Sequence, residues 1–303
     1  MNRLSREKRA QILHLLVEGM SMRSTSRVVD VSVNTVMKLL VDAGRACHLF
    51  HEHAVRGVRV RLVQADEIWD FTYMKEGTLV RSPNPPTSAG DTWTWTAIDP
   101  ESKLLIAFHV GRREASDAFT FMADLEDRLG QRVQLTTDGL PHYQTAVAAA
   151  FGEDVDYNQL IKTFGNPYDE QEGERRYSPR RDPQTVDRRV MGNPDPEHVS
   201  TSIVERHNLT MRMQMRRMTR LTNAFSKKVA NHLAMVAVYA VWYNFCRIHG
   251  SLRVTPAMAA GLDTTVHDME WMVGLIEDME AGRRPGTRYR LLGVAGRRVI
   301  ARE

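Results

Sequence analysis

The chain has 303 residues, 42% hydrophobic and 26% charged, with a formal net charge of +4 from 41 Lys and Arg against 37 Asp and Glu. This composition excludes a disordered or fibrous chain, and its mildly basic balance permits a polyanionic partner without requiring one, so local clustering of charge must decide. Two well-separated cysteines, Cys47 and Cys246, give neither a metal-ligand spacing nor a disulfide framework, which suits a reducing compartment.

The N-terminal MNRLSREKRAQIL is charged and lacks the apolar core of a signal peptide. Residues 1–50 read as a compact helical unit. Ser5 can cap a helix with Ile12, Leu13, Leu16 and Val17 on one face, ending at Gly19. A second helix follows Ser21 and presents Val28 and Val29, and a third opens at Ser32 with Val36, Leu39 and Leu40 inward. This is the layout of a helix-turn-helix, whose last helix would offer Val33, Asn34, Thr35 and Lys38 to DNA. A plain three-helix cap has the same layout. Residues 51–62 read as a linker.

The segment 63–74, VQADEIWDFTYM, alternates polar and apolar residues and predicts a strand. SPNPPTSAG (82–90) is a loop, and TWTWTAI and KLLIAFHV flank the turn DPES as a hairpin. Residues 116–129 predict a helix, RVQLTTD a short buried strand, YQTAVAAAF a helix and DVDYNQLIKTF a fifth strand. The expected core is a mixed α/β, five-stranded sheet flanked by helices. Residues 165–199 are rich in Pro, Gly and Arg and read as a long loop, either a basic arm through Arg175, Arg176, Arg180, Arg181, Arg188 and Arg189 or a solvated insertion. Two helices follow from Ser202, parted near Thr222–Asn223. LAMVAVYAVWY (Leu233–Tyr243) is about half a membrane span and reads as part of a buried helix. Residues 263–303 hold an amphipathic helix, VHDMEWMVGLIEDME, and a basic tail. The expectation is an intracellular protein without a membrane partner.

The run STSIVERHNLTMRMQMRRMTR (200–220) holds one acid, Glu205, among Arg206, Arg212, Arg216, Arg217 and Arg220. Carboxylates at strand ends and on a helix are the raw material of a divalent-metal site. Asp66, Asp138 and Glu205 qualify, but periodicity does not select them from the other acids. Asp70 shares a strand face with Asp66, Glu67 points to the other face, and Asp99 before Pro is ordinary turn chemistry. His207 reads as a DNA contact or helix packing, and His249 as structural.

The segments QADEIWDF, LTTDGLPHY and STSIVERHNLTMRMQMRRMTRLTNAFSKK, then YNFCRIHGSLRVTPAMAAG, resemble the signature segments of bacterial insertion-sequence transposases of the DDE type. The similarity spans roughly residues 60 to 262. It implies an RNase H-like catalytic domain over 63–262, behind the N-terminal helix-turn-helix, and a cytoplasmic location on bacterial DNA. It implies that Asp66, Asp138 and Glu205 bind two Mg²⁺ or Mn²⁺ ions. The partners would be double-stranded DNA, as transposon ends and target, and a second copy of the chain in a homodimer or larger synaptic assembly. Members often carry a basic residue seven positions after the glutamate, here Arg212, which shares Glu205's helix face. Truncation of residues 1–50 is expected to remove end binding and spare the core. The alternatives are a DNA-binding regulator with an inert core, or a metal-dependent nuclease that does not join strands.

Overall fold

The computed structural model describes residues 4–163, 184–219 and 222–286. Three helices come first: α1 (Arg6–Val17), α2 (Met22–Val29) and α3 (Val33–Ala54). Each starts at a serine whose side chain accepts a first-turn amide, Ser5 from Lys8, Ser21 from Ser24 and Ser32 from Thr35. Asp30 ends α2 in the left-handed conformation. The expected apolar residues are buried, except Val28, which is 57% exposed beside the buried Val29. α3 runs past the expected boundary because its apolar stripe continues through Ala43, Cys47, Phe50 and Ala54. The first residues of the expected linker are therefore helical.

Among the described residues the strands form one six-stranded sheet of order β3-β2-β1-β4-β5-β6. They are β1 (Leu62–Thr72), β2 (Gly90–Ile98), β3 (Leu105–Gly111), β4 (Val133–Thr137), β5 (Val155–Thr163) and β6 (Gln184–Met191). β1, β4 and β5 are parallel neighbours, while β2, β3 and β6 complete the sheet by antiparallel pairing. The sequence leads to five strands, and the structure corrects that number. β6 falls in the stretch read as loop, since it is an edge strand with Thr185, Val186, Asp187, Arg188 and Arg189 all exposed. An edge strand wetted on both faces has no hydrophobic alternation to read.

α5 (Ala115–Arg128) and α6 (Pro141–Phe151) pack together on one face of the sheet. α7 (Ser202–Gln214) lies over β1 and β2 on the other. α7 stops at Met215, short of the sequence expectation, and a 3-10 turn at Arg216–Met218 follows. α8 (Val229–Val241) is nearly all buried and runs into a π turn, Trp242–Cys246. α4 (Glu76–Leu79) and α9 (Pro256–Ala259) are single turns, and α10 (Met269–Glu280) is the expected amphipathic helix. Among the described residues no helix is long and apolar enough to cross a membrane.

Candidate metal and DNA site

β1 and β4 run side by side only as far as the pair Ala65–Thr137. β4 then ends and turns through Asp138 into α6, while β1 continues to Thr72. The chain leaves β1 on one side toward β2 and returns on the other as β4, so a crevice opens at this switch in strand order. Asp66 is the first β1 residue beyond the last pair with β4. Glu67 stands on the opposite strand face, but with no β4 residue beside it, its carboxylate also reaches the crevice. Oxygens of Asp66, Glu67 and Asp138 lie within 4.8 Å of one another. The alternation of the strand gives no hint of that convergence; the early end of β4 causes it.

Each carboxylate is held. Asp66 Oδ2 accepts from Asn208 of α7 at 2.8 Å, and Thr96 of β2 donates to Asn208 Oδ1 at 3.1 Å. Asp138 Oδ1 accepts the Leu140 amide at 3.0 Å, which shapes the turn into α6. Glu67 is fully buried, taking Arg113 at 2.7 Å and the Tyr143 hydroxyl at 2.9 Å. Arg113 also lies 3.8 Å from Asp138 and stacks on Trp93, 4.8 Å from the ring centre.

Glu205 reaches the crevice from above. Its helix lacks a side-chain cap of its own at Thr201, and Gln64 of β1 supplies one, accepting the Ile203 and Val204 amides at 3.0 and 3.1 Å. Glu205 Oε1 accepts from Thr201 at 2.6 Å and pairs with the Lys162 ammonium of β5. Asp66, Asp138 and Glu205 line one cavity of about 550 Å³ together with Arg113 and Lys162.

Burial and like charge act together here. Asp66 is pushed up to about 7, by burial first and then by Glu67 and Asp138. Burial also raises Asp138, against the Leu140 amide and the Arg113 guanidinium, which pull it down. Glu67 is raised by burial and by Asp138, with Arg113 and Tyr143 opposing. An all-oxygen donor set under mutual repulsion suits a hard divalent cation.

The other expected contacts divide by location. Asn34 and Lys38 are exposed and Thr35 is half-buried on the first turns of α3. Arg206 and Arg216 are exposed. Arg212 donates to the carbonyls of Trp69 at 2.8 Å and Met218 at 3.0 Å, tying α7 to β1. Arg217 is buried rather than turned to solvent, donating to Ser226 at 3.0 Å and the Asn231 carbonyl at 2.6 Å. Arg175, Arg176, Arg180, Arg181 and Arg220 lie outside the described residues. Asp70 is buried against His232, 3.6 Å away. Asp99 caps its own turn through the Glu101 and Ser102 amides. His207 is buried against Tyr239 and Tyr243, which makes it a packing residue. Sequence reasoning does not single out Arg113, Lys162, Gln64 or Asn208, and it sets Glu67 aside as pointing to the other strand face. The acidic pair Asp66-Glu67 was the one visible signal for any of them.

No family model and no curated protein matches the chain. Among solved structures it is similar to the cryo-EM structure of a piggyBac transposase synaptic complex with hairpin DNA, at 10% identity and a TM-score of 0.34, over 92% of this chain and 72% of that one. A likeness of that degree assigns no residue a role and no activity to this chain.

Proposed function

We propose that the chain is a DNA transposase of the DDE type, acting in a bacterial cytoplasm on the ends of an insertion sequence. The observation that carries the reading is the convergence of Asp66 and Asp138 at the crevice between β1 and β4, with Glu205 lining the same cavity. The sequence resemblance picks out the same three residues. Asp66, Asp138 and Glu205 would hold two divalent ions, Mg²⁺ or Mn²⁺, with Glu67 beside them. Such ions supply Lewis-acid stabilisation of the attacking and leaving oxygens in phosphoryl transfer.

The rest is work for the chain's own side chains. Asn208, fixed by Thr96, keeps the Asp66 carboxylate turned into the crevice. Arg113, braced between Glu67 and the Trp93 ring, holds a positive charge where a DNA phosphate would enter. Arg206 and Arg216 extend that positive surface along and beyond α7, and Asn34, Thr35 and Lys38 present the start of α3 to a major groove. The reaction has two stages. Water first opens a phosphodiester at each element end and leaves a 3′-hydroxyl. That hydroxyl then attacks a target phosphodiester, forming one P–O bond as another breaks, with the displaced 3′-oxygen taking up the proton. Two ends must be held together, so the active form is a dimer or larger synaptic assembly.

The test uses purified full-length protein and labelled DNA carrying the element's ends, with and without Mg²⁺. Asp66→Asn, Asp138→Asn and Glu205→Gln should each bind ends and lose both cleavage and joining. Cleavage that survives in all three removes the assignment. Wild-type protein that cuts without joining is a nuclease, and one that binds but never cuts under any divalent ion is a regulator.

A further inference from the structure

Lys162 stands on β5, beyond the level at which Thr137 of β4 pairs with Gln159. It therefore lies on the far wall of the crevice from Asp66, and within electrostatic reach of Asp138. Its ammonium pairs with Glu205 Oε1, the same oxygen that takes the Thr201 hydroxyl. Their side chains are 31% and 45% exposed, so the pair is half-open to water, and pairs of that kind are weak and readily exchanged.

The other cations close to the carboxylates are fixed. Arg113 is clamped by Glu67 and lies on the Trp93 ring. Arg212 is spent on two backbone carbonyls. Arg113 also rests on carboxylates at the crevice, Glu67 and Asp138, but the Trp93 ring and the buried Glu67 hold its guanidinium in place, whereas Lys162 meets Glu205 through a half-exposed pair. A lysine ammonium is a compact, strongly hydrated charge on a flexible stem, able to move from one anion to another without a set geometry.

Resting on the transposase reading, we propose that Lys162 is an ion-gated contact to the DNA backbone: it neutralises Glu205 in the metal-free protein, and passes to a DNA phosphate at the crevice when a divalent ion takes Glu205. Electrostatics favours the exchange. Among the described residues, four carboxylates (Asp66, Glu67, Asp138 and Glu205) face two cations (Arg113 and Lys162) around the crevice. Divalent ions reverse that excess of negative charge, so the ammonium loses its reason to stay on Glu205 just as the site becomes attractive to a polyanion.

The exchange is read most directly in the salt dependence of DNA binding, because each phosphate neutralised by a cation adds roughly one unit to the slope of log affinity against log salt. Dissociation constants for a duplex carrying the element's ends would be measured across a KCl series, once in EDTA and once in Ca²⁺. Lys162→Ala should match wild type in EDTA. In Ca²⁺ its slope should be shallower by about one and its affinity several-fold weaker. Lys162→Arg should restore both. Glu205→Gln supplies an independent arm, since it frees the ammonium without removing it. That variant should show the steeper slope already in EDTA.

Calorimetric titration of the DNA-free protein with Mn²⁺ gives a second readout. Lys162→Ala should bind the ion as tightly as wild type or more so, since a competitor for Glu205 is gone. A lysine that merely braced α7 would weaken ion binding when removed and leave the salt slope alone, and either result overturns the proposal. So would a shallower slope already present in EDTA. The transposase reading fails separately, on wild-type protein that never cuts; the ion-gated change in slope needs no cleavage to be seen.

Discussion

Burial first, and then the neighbouring carboxylates Glu67 and Asp138, raise the Asp66 carboxyl into the neutral range. Its carboxyl sits near 7 against an ordinary 3.8, so between those values the folded protein holds a proton that the unfolded chain has released. The folded state then binds more protons than the unfolded state, and stability must fall as pH rises through that window. Without divalent ions, the melting temperature of wild type relative to Asp66→Asn should therefore drop between about pH 4 and pH 7. Mg²⁺ should restore it more at pH 8 than at pH 5, because the bound ion favours the ionised carboxylate. A relative melting temperature that rises over the same window would refute the assigned burial and crowding. A second residue tells a similar story away from the crevice. Arg217 is held down to about 10 by burial although Asp70 favours its charge, and Asp70 is pushed up to about 6 despite Arg212 and Arg217. Burial outweighs attraction for both, and removing Arg217 takes the donor from the buried Ser226 hydroxyl and the Asn231 carbonyl and takes one favourable charge from Asp70. Arg217→Met should thus cost about 1 to 3 kcal/mol for each buried polar group it leaves unpaired, read in urea denaturation. A surface phosphate contact would instead lose DNA affinity with no change in midpoint.

At the scale of elements, the position of Glu205 depends on a cap borrowed from the sheet. Gln64 takes two amides of α7's first turn, and Glu205 follows directly after them. Gln64→Leu should cost about 1 kcal/mol, as loss of a helix cap does, and should weaken divalent-ion binding measured by calorimetry. If ion affinity is unchanged, Glu205 does not depend on that cap. This dependence was not legible in the sequence, since a glutamine in a strand reads as an ordinary polar position. What was legible had local causes: serine caps with apolar stripes for α1 and α3, alternation for β1 and β2, and a hairpin turn at Asp99. β6 escaped because its exposed faces carry no period. Glu67 escaped because its approach to Asp66 depends on where β4 stops, a property of pairing rather than of either residue. Lys162 escaped for the same reason, its partner being supplied by a helix far along the chain. Asp66, Asp138 and Glu205 were singled out by resemblance, and the structure gathers them around one cavity.

On the scale of the whole molecule, the N-terminal helices share their core with helices that follow the sheet. Phe50 of α3 packs against Phe245 and Trp271 at 5.0 and 5.2 Å between ring centres. Arg9 of α1 reaches Glu277 of α10 at 2.6 Å. Buried Arg128 of α5 donates to the carbonyls of His51 and Val55 at 3.2 and 3.4 Å, so the end of α3 is fastened to the sheet's helical layer as well. At Gly44 the approach is close: an added Cβ would lie 2.4 Å from Ala234 Cβ and 2.5 Å from its Cα. Two helix backbones meet there with no room for a side chain. The expectation that residues 1–50 can be removed while sparing the core is therefore unlike what this packing implies. Their loss would uncover Ala234, Phe245 and Trp271 and leave α8 and α10 without a partner layer. Gly44→Ala provides the gentler test, since it must push α3 away from α8 and should cost about 1 to 3 kcal/mol, as overpacking does. If α1–α3 and the sheet unfold as one unit, calorimetry will show a single transition for wild type, shifted down as a whole by Gly44→Ala. A wild-type profile with two separable transitions, only one of them moved by the substitution, would mean that the helical unit is an independent module and that the shared core adds little to its stability.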